Sequence, residues 1–158
     1  MRTSVDVHNY LSGLGVDHEI VLLEGEARDA LHAAALCGMD PTEMADSRIF
    51  DADGEPVLVL APGGTHVSRR ALAKVLGARQ CRPLAAAEVM KIADYPMGAV
   101  PPVALKTQMP LLIDASFKDA PCVYASAGER HAILKVRLDD LLSAHPDGRL
   151  APLTQTVP

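Results

Sequence analysis

The sequence predicts a mixed α/β (α+β) fold, with one mixed, partly antiparallel sheet wrapped by helices. Segments with helical spacing of apolar residues are interspersed with short apolar runs typical of strands. Two of these runs flank the turn-rich segment "DADGEP", which is a hairpin signal and therefore predicts antiparallel pairing. The 158 residues fit one domain, and no repeat or linker divides them, so we expect a single domain over residues 1–158.

The first half of the chain alternates helices and strands. Thr3 or Ser4 can cap a first helix that Gly15 can end. "HEIVLL" then predicts a strand, and "EARDALHAAALCG" predicts a second helix closed by Gly38. The hairpin follows, and Ser68 precedes a third helix in "RRALAKVLGAR".

The second half carries three further strand candidates. "LAAAEVMKIA" predicts a fourth helix, and "MPLLIDAS", "CVYASAG" and "AILKVRL" predict strands. "DDLLSA" predicts a short last helix. We expect residues 145–158 to form an irregular tail.

Composition and charge limit the classes of function. A net charge of −5 argues against nucleic-acid binding over a broad surface, although a local basic patch stays possible. Cys37, Cys81 and Cys122 are far apart and form no CxxC pair, which predicts reduced thiols and no structural zinc. No stretch has the length and apolar character of a signal peptide or a membrane span. We therefore expect a soluble cytoplasmic protein without a metal or cofactor.

The loop "YPMGAVPPVAL" at residues 95–105 combines one glycine with two adjacent prolines. Pro101 and Pro102 fix their own φ angles, and Gly98 can adopt backbone angles closed to other residues. The loop is therefore rigid. Two interpretations remain open: a stiff connection between elements, or a pocket wall where the backbone of Gly98 approaches a ligand.

Six segments in this order resemble one known family: "YLSGLGVDHEIVLLEG", "DADGEPVLVLAPG", "ALAKVLGAR", "GAVPP", "LLIDAS" and "YASAGERHAILKVRLDDLL". They are similar to the YbaK/ProX-like aminoacyl-tRNA deacylases, the freestanding relatives of the editing domain in bacterial prolyl-tRNA synthetases. The resemblance runs from about residue 5 to about residue 143. It implies a pocket that receives the aminoacyl 3′ end of a tRNA and hydrolyses the ester of a wrongly attached amino acid. An aminoacyl-tRNA synthetase is a further possible partner.

The resemblance assigns the loop to this pocket. The family's Gly-x-x-x-Pro pattern is met by Gly98 and Pro102, with Pro101 beside them, and it implies that the glycine backbone faces the ester. Fixed backbone N–H groups aimed at a developing oxyanion contribute strongly to catalysis and need no reorganisation.

The chain departs from the family at one position. Relatives usually carry a lysine at the start of the first hairpin strand, where this chain has Asp46 followed by Ser47. The nearest basic side chain is Arg48. It could replace the lysine if the register shifts by two residues, which keeps it on the same strand face. We therefore expect Arg48 to take the catalytic role and Asp46 to lie beside the substrate.

Other candidate residues each have a structural alternative. Asp114 could bind the substrate's α-amino group or cap a turn. Ser126 and Gly128 resemble the family's small-residue turn beside the pocket, or form only a tight hairpin turn. His131 could orient water or substrate, or be structural.

Two functions of different classes remain open. The first is a trans-editing hydrolase that uses water as the nucleophile, in which Arg70 and Lys74 contact tRNA phosphates rather than forming only a solvated helix face. The second is a non-catalytic module that binds an aminoacyl group, a nucleotide or a synthetase and has lost hydrolysis with the lysine.

Overall fold

The computed structural model describes residues 1–155. Its α-helices, in chain order, are α1 Ser4–Gly13, α2 Ala30–Cys37, α3 Arg69–Leu76, α4 Ala86–Ala93 and α5 Leu138–Ser143. Its strands are β1 His18–Leu22, β2 Ala45–Ala52, β3 Glu55–Pro62, β4 His66–Val67, β5 Cys81–Pro83, β6 Leu111–Asp114, β7 Cys122–Ser126, β8 Ala132–Arg137, β9 Arg149–Ala151 and β10 Thr154–Gln155. Short 3-10 helices lie at Pro41–Glu43 and Ala115–Phe117. The predicted helices and the predicted hairpin are all present.

Side-chain caps and glycines bound several of the helices. Thr3 caps α1 through its side chain, and Ser68 caps α3 by accepting from the N–H of Ala71. Gly38 and Gly77 end α2 and α3 in the left-handed region, with φ of 68° and 65°. Side-chain caps and left-handed glycines satisfy backbone groups that a helix leaves unpaired at its ends.

The strands of residues 1–155 form three sheets instead of the expected one. A five-stranded mixed sheet has the order β5-β2-β3-β6-β9, an antiparallel sheet has the order β1-β8-β7, and β4 pairs with β10. A parallel bridge between Met44 and Tyr124 is a local link between the two larger sheets. β2 pairs with β5 only through Phe50–Ala52, so the edge of β2 beside residues 45–48 is not covered by β5.

The expectation of an irregular tail is wrong over the strands β9 and β10. β9 pairs in parallel with β6, and β10 pairs with β4. Asp114 anchors this segment, since its Oδ1 accepts from the backbone N–H groups of Leu153 (2.9 Å) and Thr154 (3.2 Å), and Leu153 is fully buried. Residues 156–158 of the predicted tail lie outside the described residues.

The loop at 95–105 is held by a buried tyrosine. Tyr95 is fully buried, and its hydroxyl donates to the carbonyl of Ala104 (2.9 Å). Burial raises the pKa of Tyr95 to about 12, so the phenol stays protonated and the bond persists at neutral pH. The backbone N–H of Lys106 donates to the carbonyl of Ala93 (3.2 Å) and closes the loop.

Within residues 1–155, no helix has both the length and the apolar character that crossing a membrane requires.

Candidate functional site

A cleft lies along the open edge of β2. It consists of an outer cavity of about 420 Å³ and an inner cavity of about 10 Å³. The residues that line both cavities are Asp29, Asp46, Ser47, Gly98, Val100 and Arg130. The cleft therefore joins the start of α2, the first hairpin strand, the Gly98 loop and the β7–β8 turn.

The open strand edge presents backbone groups to this cleft. The carbonyl of Ile49 accepts from the N–H of Leu84 (3.0 Å), on the side of β2 away from β3. Backbone hydrogen-bonding groups alternate between the two edges of a strand. The N–H and C=O of Ser47, two residues earlier, therefore point to the same edge, beyond the last residue that β5 pairs.

Asp46 and Arg48 form an ion pair at the cleft. Arg48 Nε donates to Asp46 Oδ2 (2.8 Å), and Arg48 Nη2 donates to the carbonyl of Thr65 (3.0 Å). Burial raises the pKa of Asp46, and the charge and hydrogen bond of Arg48 oppose that rise. Asp46 lines both cavities, whereas Arg48 lines only the outer one. The structure therefore brings both side chains to the cleft and couples them to each other.

Gly98 occupies the position in the loop that only glycine fits. Its φ is 88°, and a Cβ there would lie 2.7 Å from the carbonyl oxygen of Arg28. The backbone of Gly98 therefore closely approaches the segment before α2, in which Arg28 lies. Ser126 Oγ lies 3.5 Å from the Gly98 carbonyl, and Arg130 Nη2 donates to the carbonyl of Met97 (3.2 Å). The N–H of Gly98 has no acceptor within residues 1–155.

Pro101, Pro102 and Gly128 support the loop from outside the cleft lining. Both prolines are buried, and the carbonyl of Pro102 accepts from His145 Nε2 (2.6 Å). Gly128 has φ of 93°, and a Cβ there would lie 2.8 Å from Tyr95 Cε1. The arrangement gives these residues a role in holding the loop's shape.

Four other predicted residues also lie away from the cleft lining. Asp114 is buried at the end of β6, where its carboxylate accepts three backbone N–H groups, including that of Ser116 (3.2 Å). His131 is half-buried, and its backbone carbonyl accepts from Leu23 (2.6 Å). Arg70 and Lys74 are exposed on α3.

The cleft also contains residues that sequence reasoning missed. Asp29 caps α2, accepting from the N–H of His32 through Oδ1 (2.8 Å). Its place just before a helical pattern is an N-cap signal, but that signal does not reveal the cleft. Arg28 and Arg130 line the outer cavity. Ser47 is 9% exposed, and its Oγ is a buried polar atom without a hydrogen-bond partner within residues 1–155.

A cavity of about 510 Å³ lies elsewhere, lined by residues that include Tyr10, Val103, Met109 and His145. It is larger than the cleft, but it contains none of the ion pair, the orphan hydroxyl or the positive-φ glycine. Burial lowers the pKa of His145, which favours the neutral ring that donates to Pro102. Residues 1–155 contain no group of His, Cys, Asp and Glu side chains arranged to hold a metal ion. We therefore place the candidate site at the cleft.

Comparisons with known proteins agree with the fold and the predicted family. The "Proline--tRNA ligase" of Streptococcus mutans is 30% identical over 96 residues, which span 61% of this chain and 16% of the ligase. The crystal structure of hypothetical protein APE2540 matches with a TM-score of 0.87 and 25% identity, over 95% of this chain and 99% of that one. A structure described as a proposed trans-editing enzyme for prolyl-tRNA synthetase matches with a TM-score of 0.88 and 23% identity, over 99% of each chain.

These structural matches confirm the mixed α/β fold class. The sequence pattern of the "Aminoacyl-tRNA editing domain" matches residues 24–144, which is most of the chain and includes every residue that lines the cleft. The chain belongs to the aminoacyl-tRNA editing domain family.

Proposed function

We propose that this chain is a deacylase that hydrolyses the ester of a mischarged aminoacyl-tRNA in the cleft beside β2. One observation carries the proposal. Gly98, the Asp46–Arg48 pair of β2 and Ser126 come from three separate segments, and they line one cleft in a member of the editing family.

The Gly98 loop is suited to stabilise the transition state. Water adds to the ester carbonyl carbon, the bond from that carbon to the ribose oxygen breaks, and a proton from the water goes to the ribose oxygen. The carbonyl oxygen carries negative charge during this step. The N–H of Gly98 is free to donate to that oxygen, because it has no acceptor within residues 1–155. Positioning of water and ester supplies the remainder of the rate, with no side-chain nucleophile.

Three arginines at the outer cavity suit the phosphates of a tRNA 3′ end. Arg28, Arg48 and Arg130 line this cavity. Guanidinium groups bind phosphate oxygens in a fixed, forked geometry. Asp46 and the carbonyl of Thr65 hold the Arg48 guanidinium in one orientation. A cytoplasmic location and a synthetase partner remain predictions that go with this role.

A second function is favoured by the Asp46–Arg48 pair itself. The Asp46 carboxylate stands where relatives carry a lysine. It accepts a hydrogen bond from Arg48 Nε, so this N–H of the nearest cation is not available to a substrate. A cleft of this kind could bind an aminoacyl nucleotide without hydrolysing it. Measurement of binding and hydrolysis on the same substrates separates the two functions.

The test is a deacylation screen of the purified protein against a panel of mischarged tRNAs, with release of the amino acid as the readout. For the deacylase, we expect Arg48→Ala to slow hydrolysis about 30-fold, equivalent to about 2 kcal/mol for one hydrogen bond to a charged group. Asp46→Lys should then do little or harm the site. Lys118→Ala, an exposed control outside the cleft, should leave the rate unchanged.

The double variant Asp46→Asn/Arg48→Ala identifies the cause of the reduced rate. If the guanidinium contacts substrate, the double variant stays slow; if Arg48 only neutralises Asp46, the rate recovers. Binding without hydrolysis by wild type, with hydrolysis appearing in Asp46→Lys, would establish the binding module instead. No hydrolysis of any ester by the wild-type protein would overturn the proposed activity.

A further inference from the structure

The Gly98 loop makes few backbone hydrogen bonds of its own. Within residues 98–105, Ala99 is the one residue whose N–H has an acceptor in the described chain, the carbonyl of Pro96 (3.0 Å). Pro101 and Pro102 have no N–H at all, so hydrogen bonds can hold this part of the loop only through its carbonyl groups. The loop therefore depends on donors that reach it from other segments.

Within residues 1–155, three side chains from outside the loop donate to the carbonyl groups of residues 98–105. Their distances are 2.6 Å for His145 to Pro102, 3.3 Å for Arg2 to Ala104 and 3.5 Å for Ser126 to Gly98. The bond from His145 is the shortest of the three. A carbonyl oxygen can only accept, so Nε2 of this ring carries a proton.

The fold fixes the backbone of His145 and leaves one side of its side chain unpacked. The His145 carbonyl accepts from the N–H of Gly148 (2.9 Å), and the turn sequence "HPDG" has proline and glycine at the positions that a type I turn favours. Burial lowers the pKa of His145, so the neutral ring has Nε2–H as its single donor. His145 also lines the cavity of about 510 Å³, where packing does not hold it. The hydrogen bond to Pro102 therefore determines the orientation of the ring.

Two adjacent prolines connect this hydrogen bond to the cleft. Pro101 and Pro102 fix their own φ angles, and each restricts the residue before it, so residues 100–102 have little conformational freedom. Val100 and Gly98 line the cleft, whereas the two prolines do not. A shift of the Pro102 carbonyl is therefore passed along the backbone toward Val100 and Gly98.

We propose that His145 is a positioning residue of the site, which acts through the Pro102 carbonyl to hold the Gly98 loop in the geometry that hydrolysis requires. The inference rests on the proposed function for the reaction concerned. His145 is absent from the cleft lining, so it orients the loop and does not bind the substrate. Orientation matters because a displacement of about 1 Å at a reacting group can slow an enzymatic step about 100-fold.

The test compares two replacements of similar length that differ in their donor. Glutamine carries an amide N–H that can donate in place of Nε2, and methionine has no donor. Deacylation rates of the full chain, measured well below the melting temperature of each variant, give kcat and KM. We expect His145→Met to lower kcat about 10-fold, as for the loss of one hydrogen bond, and to change KM less than about 2-fold. His145→Gln should restore most of kcat, and the exposed control Lys118→Ala should match wild type.

Amide hydrogen exchange tests the loop independently of hydrolysis. The N–H of Ala99 should exchange faster in His145→Met than in wild type or His145→Gln, while the amides of β3 should exchange alike in all three proteins. Equal acceleration in β3 would show that His145 supports the whole fold instead of the loop, which would overturn the inference.

The inference also fails if His145→Met and His145→Gln have the same kcat, or if kcat stays at the wild-type value in His145→Met despite faster exchange of Ala99. A wild-type protein that hydrolyses no ester would remove the proposed function and the inference together. Hydrolysis that does not depend on His145 would leave the proposed function standing and remove only the inference.

Discussion

Ser47 and Gly98 show how single residues of the cleft conflict with the ordinary requirements of folding. The Ser47 hydroxyl is buried without a partner within residues 1–155, and Gly98 holds a backbone conformation that side chains rarely adopt. Unsatisfied polar groups and strained backbone persist when the surrounding structure enforces them, and they concentrate at functional sites. Both residues line the cleft, so both support its assignment as the site.

Ser47→Ala should make the protein more stable. Removing a buried hydroxyl without a partner relieves a desolvation cost, so we expect the free energy of unfolding to rise by about 1 kcal/mol and the melting temperature by about 2–4 °C. Thermal unfolding measured beside Ser116→Ala, an exposed control outside the cleft, checks this expectation. A clear decrease of stability in Ser47→Ala would show that the hydroxyl is satisfied in the folded protein.

Gly98→Ala and Gly77→Ala form a matched pair at positive φ. A Cβ at Gly77 (φ 65°) has nothing within 4 Å, whereas one at Gly98 (φ 88°) would meet the carbonyl oxygen of Arg28. We expect Gly77→Ala to cost about 1 kcal/mol of stability and Gly98→Ala at least about 2 kcal/mol. Gly98→Ala should also slow deacylation per folded molecule, because the loop must shift. Equal decreases of stability would contradict the clash.

At the level of elements, α4 and the strand before it form one wall of the outer cavity. Pro83, Leu84, Ala86 and Val89 line this wall. Glu88 in the first turn of α4 joins this helix to β5 through hydrogen bonds. Its carboxylate accepts from both terminal nitrogens of Arg82 (3.1 and 3.0 Å) and from the N–H of Ala85 (3.0 Å). The Arg82 hydrogen bonds and the Ala85 bond lower the pKa of Glu88 to about 2.

Glu88→Gln should reduce stability in a manner that depends on pH. A carboxyl group whose pKa is lowered in the folded state stabilises the protein above its unfolded pKa, and this contribution disappears as pH falls through the folded pKa. We expect wild type to melt above Glu88→Gln at pH 7 and the difference to shrink between about pH 4.5 and about pH 2. The pair is exposed, so 1 M NaCl should also reduce the difference at pH 7. A difference independent of pH would contradict the ion pair, and Glu24→Gln serves as an exposed control.

At the level of the whole molecule, an acidic chain carries cations at selected places. The net charge is −5, yet Arg28, Arg48 and Arg130 meet at the outer cavity, and Arg70 and Lys74 are exposed on α3. A negatively charged protein gains little from nonspecific attraction to tRNA, so the proposed function requires local cationic groups to contact the phosphates.

The salt dependence of tRNA binding measures how many phosphates the protein neutralises. Arg28→Ala/Arg130→Ala should weaken binding and reduce the slope of log K against log salt by about 0.7 for each single-strand phosphate that the variant no longer neutralises. Arg70→Glu/Lys74→Glu should also flatten the slope if α3 meets the acceptor stem. Filter binding at several salt concentrations gives both slopes, with Lys118→Ala as the control. An unchanged slope in either double variant would remove that face from the interface.

Several residues that the sequence predicted for the site line the cleft, and their roles stay predictions. Gly98 was identified because a glycine–proline loop has few conformations, and Arg48 because it follows the position of the missing lysine. Asp114 could not be assigned in this way, since a carboxylate at a strand end can equally cap backbone N–H groups, which is what it does here. His131 and Gly128 lie in sequence next to lining residues, but not on the cleft lining themselves.

The sequence by itself determined the fold class, the five helices, the first hairpin and the family, because apolar periodicity, caps and turns are local properties of the chain. Only the tertiary structure decided that β2 has an open edge, that Asp29 and Arg130 reach it, that β9 extends the five-stranded sheet and that β10 pairs with β4. These features depend on pairing between segments far apart in sequence. The Ser47 hydroxyl illustrates the difference: its residue type is plain in the sequence, but whether it has a partner depends on every segment packed around it.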